Sequence, residues 1–326
     1  MAPTRTATGT AAAVLTATVA RRYYLDGISK VAIAEELGLS RFKVARLVES
    51  ARQEGMVRIQ VEPRGDVDIQ LSSDLQAAYR LKHSVVIQDG HVDVGDGQTM
   101  RRALGRVAGG LLREIVEADD VLGLAWARSL MEIPPWLVGM APCTVVQLTG
   151  ALSRPDIESS PTDLVRGVAQ ACGGPTYYFH APMLLPDAAT TLALRTQPEV
   201  ARAISLFPSV TKAVVGVGLW RPNYSTLVDA LPEHEWQQMR EQGVLGDLSG
   251  VQIDAEGNPV ETTLTARTIG IDAAGLRNVP EVIGIAYDAL KAPAARAGIL
   301  GGYLNGLVTH AALARELISL YEGSTA

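Results

Sequence analysis

A cluster of basic side chains near the amino end of the chain has the spacing to bind a polyanion. Arg41, Lys43 and Arg46 follow Ser40, a residue type that caps a helix by accepting a hydrogen bond from a backbone N–H group. Because the first turn of a helix carries unpaired N–H groups and partial positive charge, cations beside it attract phosphate. Arg46, about one turn further on, could reach a guanine edge. The pattern predicts contact with duplex DNA.

Two short helices joined by a glycine turn must position this cluster. Ser29 can cap the first of them, and Gly38 supplies the left-handed residue that ends it. Val44 and Val48 recur at helical spacing in the second helix and belong to its buried stripe. A further helix over about 11–25 precedes the pair. This order predicts a helix-turn-helix domain.

The predicted DNA contacts lie on these helices and on the strand-like run "MVRIQV", which would form the wing of a winged helix-turn-helix domain. They are Ser29, Ser40, Arg41, Phe42, Lys43, Arg46 and Arg58. For Phe42 two interpretations are open: contact with a base methyl group, or a place in the core. For the whole segment the alternative is a small helical dimerisation module with a solvated basic face. The glycine turn, the helix cap and the basic face occur together, which favours a DNA-binding domain.

The distribution of charge indicates two parts with different partners. Residues 1–62 carry nine Lys/Arg and six Asp/Glu, a net charge of +3, and the remaining residues carry 20 and 29, a net charge of −9. Two distant cysteines and five histidines without metal-ligand spacing predict no disulfide framework, metal site or cofactor. No apolar run reaches the roughly 18 residues that span a bilayer, so a cytoplasmic protein without membrane contact is expected.

Short apolar runs alternate with helical stretches along the rest of the chain, as in "SVVIQDG", "DVLGLAW", "CTVVQLTG", "TKAVVGVGLW" and "PEVIGIAY". This alternation predicts an α/β domain with a doubly wound, Rossmann-like parallel sheet. The predicted organisation is a DNA-binding domain over 1–62, a linker over 63–68 and a second domain over 69–326. Loops at the carboxyl ends of the strands would line a ligand crevice.

Glycine-bearing junctions follow four strand-like runs, and one of them also offers groups that can hold an anion. In "LAWARSL", Arg128 and Ser129 lie where a strand passes into a helix, so a helix start, a hydroxyl and a guanidinium could converge. The alternative is that Trp126 packs against the sheet while Arg128 is solvated. Gly216 and Gly218 alone are a weak signal, because strands often end in glycine merely to turn.

The segment "ARRYYLDGISKVAIAEELGLSRFKVARLVESARQEGMVRIQV" closely resembles the head of SorC-type (DeoR-like) sugar-responsive regulators. The stretches "GLAWARSL", "VVQLTGAL", "YYFHAPMLL", "VVGVGLW", "GDLSGVQIDAEGNPV" and "IGIAYDALKAPAARAGILGGYLNGLVTH" resemble that family's effector domain, so the resemblance covers about 19–320. It implies a sheet fold similar to ribose-phosphate and glucosamine-phosphate isomerases that binds a sugar or sugar phosphate. The residues it implicates are Gly123, Trp126, Arg128, Ser129, Gly150, Gly216, Gly218, Asp247 and Lys291.

Two departures from the family pattern bear on the ligand. Tyr287 and Asp288 stand where the family usually has small residues, and Ala127 replaces a glycine of the tryptophan loop. A bulky ring and an added carboxylate would narrow the pocket and repel phosphate, which favours a neutral polyol or pentose. Asp247 and Asp288 would then bind hydroxyl pairs. Lys291 would pair with one of these carboxylates, or lie on the surface.

Three functions from different classes remain open from the sequence. The favoured one is a regulator of a carbohydrate or polyol catabolic operon. In such a regulator, a bound sugar, polyol or sugar phosphate changes the spacing of the DNA-binding domains of paired chains. It would act as a homodimer or tetramer on a partly palindromic operator. The second is an isomerase-like sugar-phosphate enzyme with an accessory head. No closely spaced catalytic set is visible, so no enzyme is expected. The third is a DNA binder without a ligand.

Overall fold

The computed structural model describes residues 10–57, 66–88, 97–152 and 160–325. The chain divides into two compact units, Met1–Glu62 and Pro63–Ala326, here called the head and the body. Within the described ranges, no helix combines the length and the hydropathy needed to cross a membrane. The same ranges contain no group of three His, Cys, Asp or Glu side chains that could hold a metal ion.

The described part of the head folds into three helices: α1 (Thr10–Tyr24), α2 (Lys30–Leu37) and α3 (Arg41–Gln53). The Ser29 hydroxyl accepts a hydrogen bond from the backbone N–H of Ala32 and caps α2. The Ser40 hydroxyl caps α3 in the same way, through the N–H of Lys43. Gly38 ends α2 at a φ of 62°, a left-handed conformation that favours glycine. The capped pair of helices therefore has the predicted local structure.

The core of the head is a small apolar cluster between the three helices. Val19, Ile33, Val44 and Val48 are buried in it, so α3 turns its apolar stripe inward and its basic residues outward. The strand predicted from "MVRIQV" falls mostly outside the described residues, and Arg58, its predicted DNA contact, lies there too.

The body alternates strands with helices. Its strands are β1 (His83–Ile87), β2 (Val121–Leu124), β3 (Thr144–Gln147), β4 (Thr176–Tyr177), β5 (Lys212–Leu219), β6 (Gly246–Leu248), β7 (Val251–Ile253), β8 (Glu281–Ile285) and β9 (Gly306–His310). Its helices are α4 (Ile69–Tyr79), α5 (Gly97–Ile115), α6 (Pro161–Cys172), α7 (Ala188–Arg195), α8 (Pro198–Ile204), α9 (Glu233–Glu241), α10 (Ala273–Asn278), α11 (Ala292–Leu300) and α12 (Ala311–Thr325). Within the predicted linker, Asp68 already caps α4 and Val67 bridges Ile87, so these residues are part of the body.

Seven of the described strands form a parallel sheet in the order β1-β9-β8-β5-β2-β3-β4. The predicted doubly wound α/β fold is confirmed. One part departs from the expected parallel pattern: β6 runs antiparallel to the end of β5, and β7 runs antiparallel to β6. This pairing sets Asp247 directly opposite Gly218. The sequence did not reveal it, because each strand of the hairpin is only three residues long.

Helices cover both faces of the sheet and bury two apolar layers. α4, α11 and α12 contribute to one layer, and α5 and α6 contribute to the other. Along β5, Ala213, Val215 and Val217 face the first layer, and Val214 faces the second. The continuous apolar run of β5 therefore reflects a central strand that is buried on both sides.

A buried ion pair lies at the amino end of β5. Lys212 Nζ donates to both carboxylate oxygens of Asp120, at 2.9 and 2.8 Å. Their side chains are only 12% and 9% exposed. Burial opposes ionisation of Asp120, but hydrogen bonds from the Glu117 N–H, Lys212 and the Thr211 hydroxyl outweigh it and lower its pKa. Every contact of this pair is made within the protein.

Candidate functional site

A polar pocket lies where β2 and β5 run side by side, at their carboxyl ends. The strand order reverses here, because β3 follows on one side of β2 while β5 lies on its other side. Crevices at such reversals are the usual ligand sites of open α/β sheets. Its lining includes the segments 126–129, 216–218 and 223–227, together with the side chains of Asp229, Asp247, Ser249, Tyr287 and Lys291.

The structure brings together most of the residues predicted to bind the ligand. Those in the pocket lining are Trp126, Arg128, Ser129, Gly216, Gly218, Asp247 and Lys291. Gly123, Gly150 and Asp288 lie outside the lining. A Cβ atom at Gly123 would meet the Leu148 side chain at 2.7 Å, and one at Gly150 would lie 2.6 Å from the backbone nitrogen of Met183. These two glycines therefore permit close approach of neighbouring segments, the Leu148 side chain at Gly123 and the backbone of Met183 at Gly150.

The loop after β2 brings Trp126 to the pocket lining. Trp126 is buried, and its backbone N–H donates to Thr149 Oγ1 at 3.1 Å. Its ring packs in a cluster with Leu152 and Met183, but its Nε1 finds no acceptor among the described residues. An indole N–H can only donate, and leaving such a group unmet costs about 1–3 kcal/mol. Trp126 can therefore pack its ring against the protein and still donate its indole N–H to a ligand.

The glycines at the end of β5 make room for neighbouring groups instead of offering N–H groups to a ligand. The N–H of Gly216 already donates to Ser249 Oγ at 3.0 Å. A Cβ atom at Gly216 would lie 2.5 Å from the Cβ of Ala127, and one at Gly218 would overlap the carboxylate of Asp247. Glycine is needed at both positions because the tryptophan loop and Asp247 approach the strand so closely.

Asp247 places a buried carboxylate at the pocket. Its Oδ1 accepts a hydrogen bond from the Ser225 hydroxyl at 2.6 Å, and its Oδ2 accepts from the N–H of Gly250 at 3.4 Å. Burial raises its pKa, since removal from water disfavours the charged form and the two hydrogen bonds and the charge of Lys291 offset this only in part. The carboxylate has further lone pairs to offer to hydroxyl groups.

Lys291 approaches the same pocket from a short 3₁₀ helix, Ala289–Lys291. Its Nζ donates to the carbonyl oxygen of Val217 at 3.0 Å and lies 5.7 Å from the ring centre of Tyr287. Burial lowers its pKa, and the nearby charges of Asp247 and Asp288 counteract this only in part. Within the described residues, it forms no ion pair with either carboxylate. Lys291 therefore lines the pocket, where it is partly exposed, and it also stands at the start of α11.

Asp288 has a local structural role that the sequence did not predict. It adopts a φ of 80°, and its carboxylate accepts a hydrogen bond from the N–H of Leu290, which caps the helix that carries Lys291. Its charge still acts on Lys291 through space. The second carboxylate in the lining is that of Asp229, which also accepts a hydrogen bond from the N–H of Asn223 at 2.7 Å.

The sequence missed the loop after β5, which supplies Asn223, Ser225 and Asp229 to the pocket. Its signal was a polar run, "RPNYSTLVD", directly after a buried strand. Ser249, also missed, turns the β6–β7 hairpin. Asn223 and Ser249 both have positive φ, 69° and 50°, a conformation that non-glycine residues rarely adopt. Such conformations concentrate at ligand sites, because the surrounding structure must hold them there.

In the head, most of the predicted DNA contacts in the described residues lie on or beside α3, whereas Ser29 lies at the start of α2. Arg41, Phe42, Lys43 and Arg46 are exposed. Phe42 is 81% exposed, so its side chain has no place in the core. Ser29 and Ser40 use their hydroxyl oxygens as helix caps.

Comparison with known proteins agrees with these features. Residues 66–319 match the family model described as "Putative sugar-binding domain". The chain is 28% identical to the transcriptional regulator LsrR of Klebsiella pneumoniae, across 94% of this chain and 93% of the relative. It is 27% identical to the erythritol catabolism regulatory protein EryD of Brucella abortus, across 92% of this chain and 95% of the relative.

A solved structure shares the fold over nearly the full length. The full-length sorbitol operon regulator SorC of Klebsiella pneumoniae matches 94% of this chain and 98% of its own, with a TM-score of 0.71 and 24% identity. The family match covers most of the body, and the relatives span both head and body. The chain therefore belongs to the "Putative sugar-binding domain" family, and the relatives that it matches along nearly their full length are named as transcriptional or catabolism regulators.

Proposed function

We propose that this chain binds the operator of a carbohydrate or polyol catabolic operon through α3, and that a small polyhydroxylated ligand in the body's pocket controls this binding. The observation that carries the proposal is the arrangement of Asp247 and Lys291. Asp247 is buried and Lys291 is only partly exposed in one pocket, yet they form no ion pair with each other. Because buried charges are normally paired, a ligand that contacts both would supply the missing partners.

The exposed face of α3 supports the DNA-binding half of the proposal. Arg41, Lys43 and Arg46 cluster in the first half of this capped helix, where the helix start also attracts phosphate. Arg46→Ala is expected to weaken binding to a duplex selected from a random pool by about 1–3 kcal/mol. Arg52→Ala, in the last turn, is the matched control and should weaken it less. Unchanged binding in a gel-shift titration of Arg46→Ala would show that α3 does not contact the DNA bases as proposed.

A neutral sugar or polyol suits the pocket better than a phosphate. Arg128 and Lys291 line it together with Asp229 and Asp247, so its cations are balanced by carboxylates. The N–H of Gly216, a group that could hold phosphate, is occupied by Ser249. Hydroxyl groups can donate to a carboxylate and accept from an ammonium or an indole N–H, which matches the groups present. A relative named for catabolism of erythritol, a polyol, is consistent with this class.

The test is a gel-shift titration of the selected duplex with pentoses, polyols and their phosphates. At least one neutral compound is expected to change DNA affinity several-fold. A response to phosphates alone would overturn the neutral ligand class, although ligand control would stand. No response to any compound would overturn ligand control and favour a constitutive DNA binder.

The proposed regulator acts in the cytoplasm as a homodimer or tetramer without enzymatic turnover. Paired heads increase phosphate contact and fit half-sites that are in register with the helical turn of DNA. When the same compounds are incubated with the protein, stoichiometric binding is expected. Formation of an isomerised product would instead favour the isomerase-like enzyme.

A further inference from the structure

Phe42 is unusual for its exposure. Among the large apolar side chains of the described residues it is the most exposed, at 81%, and Leu25 follows at 79%. An aromatic ring in water forgoes the free energy of burial, about 25 cal/mol for each square ångström. An exposed ring at the second position of a capped helix therefore indicates that a binding partner covers it in the functional complex.

The position of Phe42 on α3 identifies that partner. With 3.6 residues per turn, Phe42 lies about 160° around the helix from the buried Val44. Arg46 lies at about the same angle from the buried Val48, so Phe42 and Arg46 share one ridge that points away from the core. Arg41 and Lys43 flank this ridge and are exposed as well. An apolar ring bordered by three cations fits a polyanion that carries apolar groups.

Duplex DNA has one such group in its major groove, the 5-methyl group of thymine. Resting on the proposed function, we propose that Phe42 reads a thymine methyl group in each operator half-site, next to the base contacted by Arg46. The cations would hold the phosphates on either side, and the ring would exclude water from the methyl group. Phe42 would then determine sequence specificity, whereas Arg41 and Lys43 would mainly determine affinity.

The test replaces single thymines by uracil, which removes only the methyl group, in the duplex selected by the full-length protein. One thymine per half-site is expected to weaken binding about fourfold when replaced, the value for one buried methyl-sized group. Phe42→Ala should bind the original duplex more weakly and show no difference between thymine and uracil at that position. Phe42→Leu should retain part of the difference, and Leu25→Ala is the matched control for loss of an exposed apolar side chain.

The outcomes separate this inference from the function on which it rests. If the wild-type protein selects and binds a duplex but no thymine-to-uracil change affects it, the inference is wrong and the DNA-binding function stands. The inference is also wrong if Phe42→Ala keeps the uracil effect, or if it changes only the oligomeric mass, since Phe42 would then contact another protein surface. Failure of the wild-type protein to bind any duplex would overturn both.

Discussion

The two ends of β5 hold two acid–base pairs that behave in opposite ways. At the amino end, Lys212 and Asp120 are in direct contact, and further hydrogen bonds lower the pKa of the carboxyl. At the carboxyl end, Asp247 and Lys291 share a pocket without an ion pair, burial raises the pKa of the acid, and burial lowers the pKa of the amine.

The difference separates a structural pair from the proposed ligand site. A pair whose hydrogen bonds are all made within the protein has nothing to offer a ligand. A pair held apart, with each member shifted toward its neutral form, pays a free-energy cost in the empty protein that a suitable ligand can reduce. The structural pair thus lies at one end of β5, and the proposed binding groups lie at the other.

The largest expected effect comes from breaking the structural pair. Asp120→Ala should lower the free energy of unfolding by about 3–5 kcal/mol, because it leaves the Lys212 ammonium buried without its partner. Urea denaturation of the full-length protein measures this. Asp119→Ala, at the exposed neighbouring position, is the control and should change it by less than about 0.5 kcal/mol. A loss below about 1 kcal/mol for Asp120→Ala would mean that the pair is not structural.

Removal of the pocket amine should have a smaller effect on stability and a large effect on ligand response. Lys291→Met keeps most of the side-chain volume and relieves the desolvation of the ammonium, so the free energy of unfolding should change by less than about 1 kcal/mol. The same variant should bind the selected duplex normally and fail to respond to the ligand. A stability loss equal to that of Asp120→Ala would contradict the distinction between the two pairs.

The smallest expected effect is on the pH dependence of the free energy of unfolding, to which Asp120 and Asp247 should contribute with opposite signs. Asp120 has a lowered pKa, so its stabilisation is present above its ordinary value of 3.8 and is lost as pH falls through the lowered value. Asp247 has a raised pKa, so stability falls as pH rises from 3.8 through the raised value. Denaturation from about pH 3 to about pH 7 gives the free energy of unfolding of wild type, Asp120→Asn and Asp247→Asn at each pH. Relative to wild type, Asp120→Asn should lack a contribution that rises with pH, and Asp247→Asn should lack one that falls with pH, so the two differences have opposite slopes. Slopes of equal sign would contradict the assignments.

Local signals made much of the fold predictable. The caps at Ser29 and Ser40 and the turn at Gly38 depend on neighbours within a few residues, and all three have the predicted local structure. The apolar run of β5 is long enough to identify a central strand. Family resemblance predicts that Lys291 and Asp247 lie in the pocket, and both line it.

The rest depends on contacts between distant segments. The β6–β7 hairpin pairs with β5 across about 30 residues of sequence, and its short strands carry little periodicity. For the same reason, the sequence could not show that Ser249 would occupy the N–H of Gly216, or that Asp288 would cap its own helix. The pocket contribution of Asn223 and Asp229 depends on how a long loop folds back over the strand ends.

In the proposed function, Asp247 and Lys291 form a ligand site that governs DNA binding. This function is tested most directly by thermal denaturation of wild type and Lys291→Met with a panel of pentoses, polyols and their phosphates. At least one neutral compound is expected to raise the melting temperature of the wild-type protein and to leave that of Lys291→Met unchanged, and the same compound should alter DNA binding. Equal shifts in both proteins, or no shift with any compound, would contradict the proposed function.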